Sequence, residues 1–371
     1  MAFRHAKLPQ SFTESMAKTK VTYRQLGRSG LRISNPIFGG LSIGDSKWDQ
    51  WILDKEEAMV VLNEAYNRGI TTWDTANVYS NGASEEIMGA TLREYNIPRS
   101  KVVLMTKIFR VMPDIELEKY SHDRYKNVAF FETEADQSKD HVNHWGLSRA
   151  AIMQTVDDSL ARLGTDYIDV LQIHRSDPHV PPEETMRALH DLVTCGKVRY
   201  LGASSMWAHE LAILQHTAER NGWNKFSSIQ LRYNLLYREE EREMIRYCNR
   251  TGVGILAWEA LGAGHLARPL GMNGTTRRAK SLLDLEDKYP ELSPQDTSII
   301  GRVEEVAQRR NWPMSHVSLA WLNERAITPI IGFNSVHRIQ EALDARGKIL
   351  TAEERAYLEE PYMPVPVVGH K

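Results

Sequence analysis

From Asn35 nearly to its end the chain alternates short apolar runs with longer amphipathic stretches, the pattern of repeated strand–helix units around a parallel sheet. The apolar runs predict strands over Pro36–Gly39, Ile70–Asp74, Val102–Lys107, Ile168–His174, Val198–Ala203, Ser228–Gln230, Gly254–Trp258 and Thr328–Gly332. Between them the apolar spacing predicts helices over Lys55–Arg68, Ser148–Leu163, Glu183–Thr194, Ala208–Arg220, Glu239–Arg250 and Asp296–Arg310. Gly69, Gly164, Gly196 and Gly252 follow four of these and supply a left-handed stop. Eight strands with helices between them are the content of one (β/α)₈ TIM barrel of the α/β class.

Ahead of the first barrel strand, Val21–Leu26 and Leu31–Asn35 flank Gly27–Gly30 and read as a β-hairpin placed to plug the barrel floor. Residues 1–20 read as a mobile, solvated arm, and 21–371 as a single barrel domain. Two connections, Ile108 to Gly146 and Ala260 to Pro294, far exceed the usual span of about 2–6 residues. Both follow strands, so both emerge at the C-terminal rim, where barrel enzymes carry their sites.

Composition narrows the possible partners. With 371 residues and 42% hydrophobic content the chain can bury a large core. Its 46 basic and 48 acidic residues leave a net charge of −2 without long blocks of one sign, which argues against nucleic acid and membrane surfaces. Neither a long apolar span nor a secretory leader is present, and Cys195 and Cys248 form no CxxC pair, so a cytoplasmic protein is expected. Thirteen histidines include no HExxH, and the His141/His144 pair lacks an evident third ligand; no metal is expected.

Titratable residues end three of the predicted strands: Asp74 after ITTW, Lys107 after VVLMT and His174 after DVLQI. Tyr79 follows Asp74 in the loop TANVYSNG. Singly, each suits a structural role: a capping aspartate, a solvated lysine, a loop aromatic, a core histidine. Together at one rim they suit carbonyl reduction. Hydride addition leaves an alkoxide that needs a proton donor, and a tyrosine hydroxyl can be that donor. An ammonium beside a phenol makes its proton easier to give up, which is the part read for Lys107. A buried ammonium in turn needs a carboxylate, the part read for Asp74. His174 would orient the substrate oxygen.

At this point the sequence resembles the aldo-keto reductase superfamily, through WDTANVYSNGASEEIMG, VVLMTKI and DYIDVLQIHR. The resemblance covers roughly Tyr23 to the C-terminus and implies a catalytic tetrad of Asp74, Tyr79, Lys107 and His174. Within the superfamily, VNHWGLSRAAI, GASSMWAHEL, YREEEREM and PYMPVPVVGH resemble the fungal versiconal hemiacetal acetate reductase-like branch. The implied activity is NADPH-dependent reduction of aldehydes or ketones. Two alternatives follow from the same resemblance: a regulatory nucleotide-binding module of a partner protein, and an aryl-alcohol dehydrogenase working oxidatively. The oligomeric state is left open.

The resemblance also implies the contacts to NADPH/NADP+. Ser204, Ser205 and Gln230 would meet the nicotinamide carboxamide, and Trp258 would stack on its ring. Gly40, Asp74, Leu261, Gly262, Gly264 and Leu266 would line the rest of the path, and Gly332, Asn334, Ser335 and Arg338 would hold the adenosine 2′-phosphate at a helix start. Gly262, Gly264 and Ala267 also fit a loose dinucleotide fingerprint, but no βαβ unit follows, so a Rossmann reading is rejected. Glu259 and Ala260 depart from the family's Ser-Pro, and Ala342 from its usual asparagine. Glu259 would repel a pyrophosphate unless it turns away or finds a cation such as Arg268. Aromatics in the rim loops, Trp48, Trp51, Phe130, Phe131, Trp145 and Trp207, point to a bulky aromatic or polyketide-type carbonyl.

Overall fold

The computed structural model describes residues 8–113, 125–272 and 292–370. Parts of both long rim connections, 114–124 and 273–291, lie outside them. All eight barrel strands form: β3 (Ile37–Gly39), β4 (Thr72–Asp74), β5 (Val103–Ile108), β6 (Ile168–Ile173), β7 (Val198–Ser204), β8 (Phe226–Arg232), β9 (Gly254–Trp258) and β10 (Thr328–Ile331), after the hairpin strands β1 (Thr22–Gln25) and β2 (Arg32–Asn35). They close in the order β10-β3-β4-β5-β6-β7-β8-β9 with parallel pairing throughout, a TIM barrel. β8 runs four residues longer than its sequence signal, because Ser227 and Arg232 interrupt the apolar run without interrupting the ladder.

The predicted helices recur with small shifts. Ser148 caps Arg149–Leu163 by accepting the Ala151 N–H, and Gly164 ends it in the left-handed region. The stretch read as one helix over Glu239–Arg250 is instead a short turn, Glu239–Glu241, and a separate helix, Met244–Thr251. The arm is not featureless: Gln10–Lys18 is a helix, though it buries no residue. Helices over Ala83–Glu94, Met314–Glu324 and Ala352–Glu359 carried no sequence expectation.

The hairpin does plug the floor. Leu26 and Ile33, both essentially inaccessible, form a cluster with Ile37, Met105, Val170, Leu256 and Ile330, contributed by five barrel strands. Gly27 sits so close to the start of β9 that a Cβ there would lie 2.5 Å from the Gly254 nitrogen. The main core lies outside the barrel, between strands and helices.

Candidate active site

Because strands β4, β5 and β6 are parallel neighbours, their last residues open onto one rim. β4 ends on Asp74, which is paired in register with Met105 of β5, so Lys107 stands two residues further toward the rim. The two side chains meet inside: Lys107 Nζ donates to Asp74 Oδ2 at 2.7 Å and to the Thr75 carbonyl at 2.8 Å, and neither side chain reaches solvent appreciably. Burial alone pulls the Lys107 ammonium down, but Asp74 and Tyr79 beside it more than reverse this and hold its pKa above the ordinary lysine value.

Tyr79 hangs over this pair, with Lys107 Nζ 4.9 Å from its ring centroid. Its ring meets His174 edge-on, centroids 6.1 Å apart. His174 Nδ1 is enclosed and has no hydrogen-bond partner among the described residues. Burial first, then the cations Arg175, Lys107 and Arg110, drive the imidazole pKa well below its ordinary value, so the ring is neutral at pH 7. The four residues singled out from the sequence therefore converge.

Two glutamines extend the group. The Gln172 amide donates to Asp74 Oδ1 at 2.8 Å, and the Gln230 amide donates to the same oxygen and to Gln172 Oε1, both at 3.0 Å. Asp74 is thus saturated from two sides. Gln230 keeps its carbonyl oxygen for a ligand's N–H, and Ser204 Oγ, donating to the Gln230 backbone carbonyl, can still accept. Two acceptors so placed fit the N–H₂ of a carboxamide. Sequence reasoning missed Gln172; a polar residue two positions before His174, within the apolar run that leads to it, was its signal.

Above this group opens a cavity of about 480 Å³. Of the residues expected at a cofactor, Gly40, Asp74, Ser204, Gln230, Trp258, Leu261, Gly264, Gly332, Asn334 and Arg338 line it. Ser205 stands behind, accepting the Trp258 indole N–H at 3.1 Å. Gly262 and Leu266 are buried, and Ser335 accepts the Arg338 backbone N–H as the cap of Val336–Leu343. Gly40 serves packing: a Cβ there would lie 2.7 Å from Met88 Cε. Glu259 does find a cation, but it is Arg232 and not Arg268. Arg268 is left beside Arg338, and both line the cavity with Glu341 as the neighbouring acid. Among the described residues, two guanidiniums beside the carboxylate of Glu341 fit an anionic group such as a phosphate.

The aldo/keto reductase family pattern matches residues 37–362. The chain is 57% identical to Aldo-keto reductase AMT2 of Alternaria alternata over 362 residues, 98% of this chain and 97% of that protein. It is 46% identical to versiconal hemiacetal acetate reductase of Aspergillus parasiticus over 345 residues, 92% of this chain and 97% of that one. It is likewise 46% identical to a putative aryl-alcohol dehydrogenase of Schizosaccharomyces pombe over 349 residues, covering 94% and 97%. A closed parallel barrel with its polar cluster at one rim, and likeness along nearly its whole length, make this chain a member of the aldo/keto reductase family, oxidoreductases that act on carbonyl and alcohol groups.

Proposed function

We propose that the chain is an NADPH-dependent reductase of aldehydes and ketones in which the Tyr79 hydroxyl gives the proton that completes the alcohol. The carrying observation is the enclosed Asp74–Lys107 pair beneath the Tyr79 ring, with a neutral His174 at its edge. NADPH, when bound, supplies the hydride that adds to the carbonyl carbon. The electron pair displaced onto oxygen takes the proton from Tyr79, and solvent restores that proton later. Lys107 offers a fixed positive charge to the phenolate left behind, at no reorganisation cost because Asp74 and the Thr75 carbonyl already hold it. His174, neutral, can donate one hydrogen bond to the substrate oxygen and fix its direction.

On the cofactor side, Ser204 and Gln230 would hold the carboxamide and Trp258 the ring face, while Arg268 and Arg338 would take the 2′-phosphate, favouring NADPH over NADH. Trp48, Trp51 and Phe130 line the cavity and support a planar substrate, Phe130 from a largely exposed position; Phe131 and Trp207 are exposed without lining it, and Trp145 packs on Phe109. We place the reaction in the cytoplasm, where Cys195 and Cys248 remain free thiols. Likeness to a relative named as an aryl-alcohol dehydrogenase favours a second reading, the same chemistry run toward oxidation.

The test is nucleotide absorbance with aromatic aldehydes and ketones. Tyr79→Phe should cut kcat by at least about a hundredfold while NADPH binding persists. Arg338→Ala should weaken NADPH more than NADH. Unchanged turnover in the first variant would remove Tyr79 as the acid, and equal losses in the second would remove the phosphate role. Nucleotide binding without turnover of any carbonyl or alcohol would leave the regulatory reading standing.

A further inference from the structure

The cavity has two basic ends. Arg268 and Arg338 follow β9 and β10. Arg110 and Arg175 follow β5 and β6, four strands away on either path around the closed barrel and therefore on the opposite side of the rim. The first pair is accounted for by the cofactor; nothing in the proposed function uses the second.

Arg110 and Arg175 both line the cavity next to Tyr79 and His174. Arg110 Nη1 donates to Glu132 Oε1 at 3.0 Å, and its guanidinium lies 4.6 Å from the Phe130 ring centroid. Arg175 donates from Nη1 to the His174 carbonyl at 2.5 Å, while its Nε is enclosed and finds no acceptor among the described residues. The far side of Arg175 is closed by the C-terminal tail, where a Cβ on Gly369 would lie 3.2 Å from Nη2. His370 follows, and burial lowers its pKa, so it adds no charge at neutral pH. Among the described residues, the carboxylate that faces the two guanidiniums is Glu132, bonded to Arg110 and acting on Arg175 through its charge, in a partly desolvated place. The strain is visible in Arg175, whose pKa is pulled down to about 10, by burial first and by Arg110 second. Burying a cation without its counter-charge is costly, and such a pair persists where a ligand supplies the missing charge.

We infer that Arg110 and Arg175 form an anion subsite for the substrate, so that the carbonyl compound this chain reduces carries a carboxylate close to the reacting carbonyl. The inference rests on the reductase reading for its location beside Tyr79, and it narrows that reading from carbonyls in general to oxo acids. Arg175 lines the same cavity as His174 and Tyr79 and its charge is felt by both, so an anion on its guanidinium would stand close to an oxygen held by those two residues. The Phe130 ring beside Arg110 leaves room for an apolar or aromatic body on the same molecule.

Benzoylformate and its methyl ester share ring and ketone and differ in charge. Wild-type protein with NADPH should show kcat/KM higher for the acid by at least about tenfold, since a buried donor left unpaired penalises the neutral analogue. In Arg175→Gln and Arg110→Gln that acid-to-ester ratio should collapse toward one, and Arg175→Lys should keep part of it. A wild-type ratio near one, or a ratio the Gln variants leave intact, overturns the subsite. Binding separates this from failure of the reductase reading: calorimetric titration with benzoate and with benzamide needs no turnover. Benzoate preferred by the wild type and not by Arg175→Gln supports the subsite even if nothing is reduced; equal binding of the two overturns it.

Discussion

Asp74 accepts three hydrogen bonds, one from the Lys107 ammonium and two from the Gln172 and Gln230 amides, and its carboxylate is the counter-charge for a lysine with no exposed surface. Asp74→Asn should therefore do two things. It leaves an uncompensated buried cation, at a cost of about 3–5 kcal/mol in denaturant unfolding, and it removes the fixed charge beneath Tyr79, lowering kcat. Adding Lys107→Met to the first change should restore much of the stability and none of the activity. If the single variant is as stable as the wild type, the pair is not what holds this part of the rim. The convergence of Asp74, Tyr79, Lys107 and His174 was legible from sequence because strand ends aim their last side chains into the rim, and Asp74, Lys107 and His174 are the polar residues at three such ends. Gln172, Arg110 and Arg175 were not read. Gln172 sits mid-pattern on an apolar strand, and an arginine beside a motif histidine carries no sign of burial until the tail closes over it.

Among the elements, the C-terminal tail is tied to the turn at Glu239–Glu241. The Val365 N–H and the Tyr362 hydroxyl donate to Glu239 Oε1 at 3.0 and 2.7 Å, and the Val368 N–H to the Tyr237 hydroxyl at 3.1 Å. Glu240 lies beneath, 3.4 Å from His370 Nε2, and burial together with Glu239 pushes its carboxyl pKa up to about 8. His370 is lowered in the same place, so the contact joins a neutral acid and a neutral imidazole. The folded chain keeps a proton on Glu240 that the unfolded chain releases near pH 4.5. Stability from this group is therefore intact below about pH 4.5 and is lost progressively as pH rises to about 8. Glu240→Gln should raise stability at pH 8 by roughly 2–4 kcal/mol, and the gain should vanish toward pH 4.5 in a Tm series. A gain independent of pH would contradict the assignment.

Helices differed in legibility for physical reasons. Ala83–Glu94 carries Gly89 at its middle, which reads as a breaker, yet a Cβ there would lie 2.3 Å from the Leu163 carbonyl oxygen. The glycine is the price of close packing. Met314–Glu324 buries nine of its eleven residues, so it has no polar face and no helical period to detect. Lys55–Asn67 and Ala208–Arg220 show one buried face each and were found within a residue of their ends.

For the molecule as a whole, the candidate site and the floor packing occupy opposite ends of the barrel. The tetrad and both arginine pairs stand at the C-terminal rim; Leu26 and Ile33 fill the interior from the other side. Leu26→Ala should cost about 2–5 kcal/mol in urea unfolding through the cavity it leaves, with kcat/KM unchanged within about twofold. A comparable loss of activity would mean that the floor and the rim are coupled through the barrel interior.

Among the described residues, the plugged floor also closes the barrel on the side away from the rim, so the cavity is reached from the rim. A cofactor and a substrate bound as proposed would both arrive from that side, and whichever lay deeper would wait for the other to leave. The expected traffic is a queue, a compulsory order of entry and exit, which initial-rate product-inhibition patterns read directly: competitive inhibition between only one substrate–product pair matches the queue, and competition in both pairs does not.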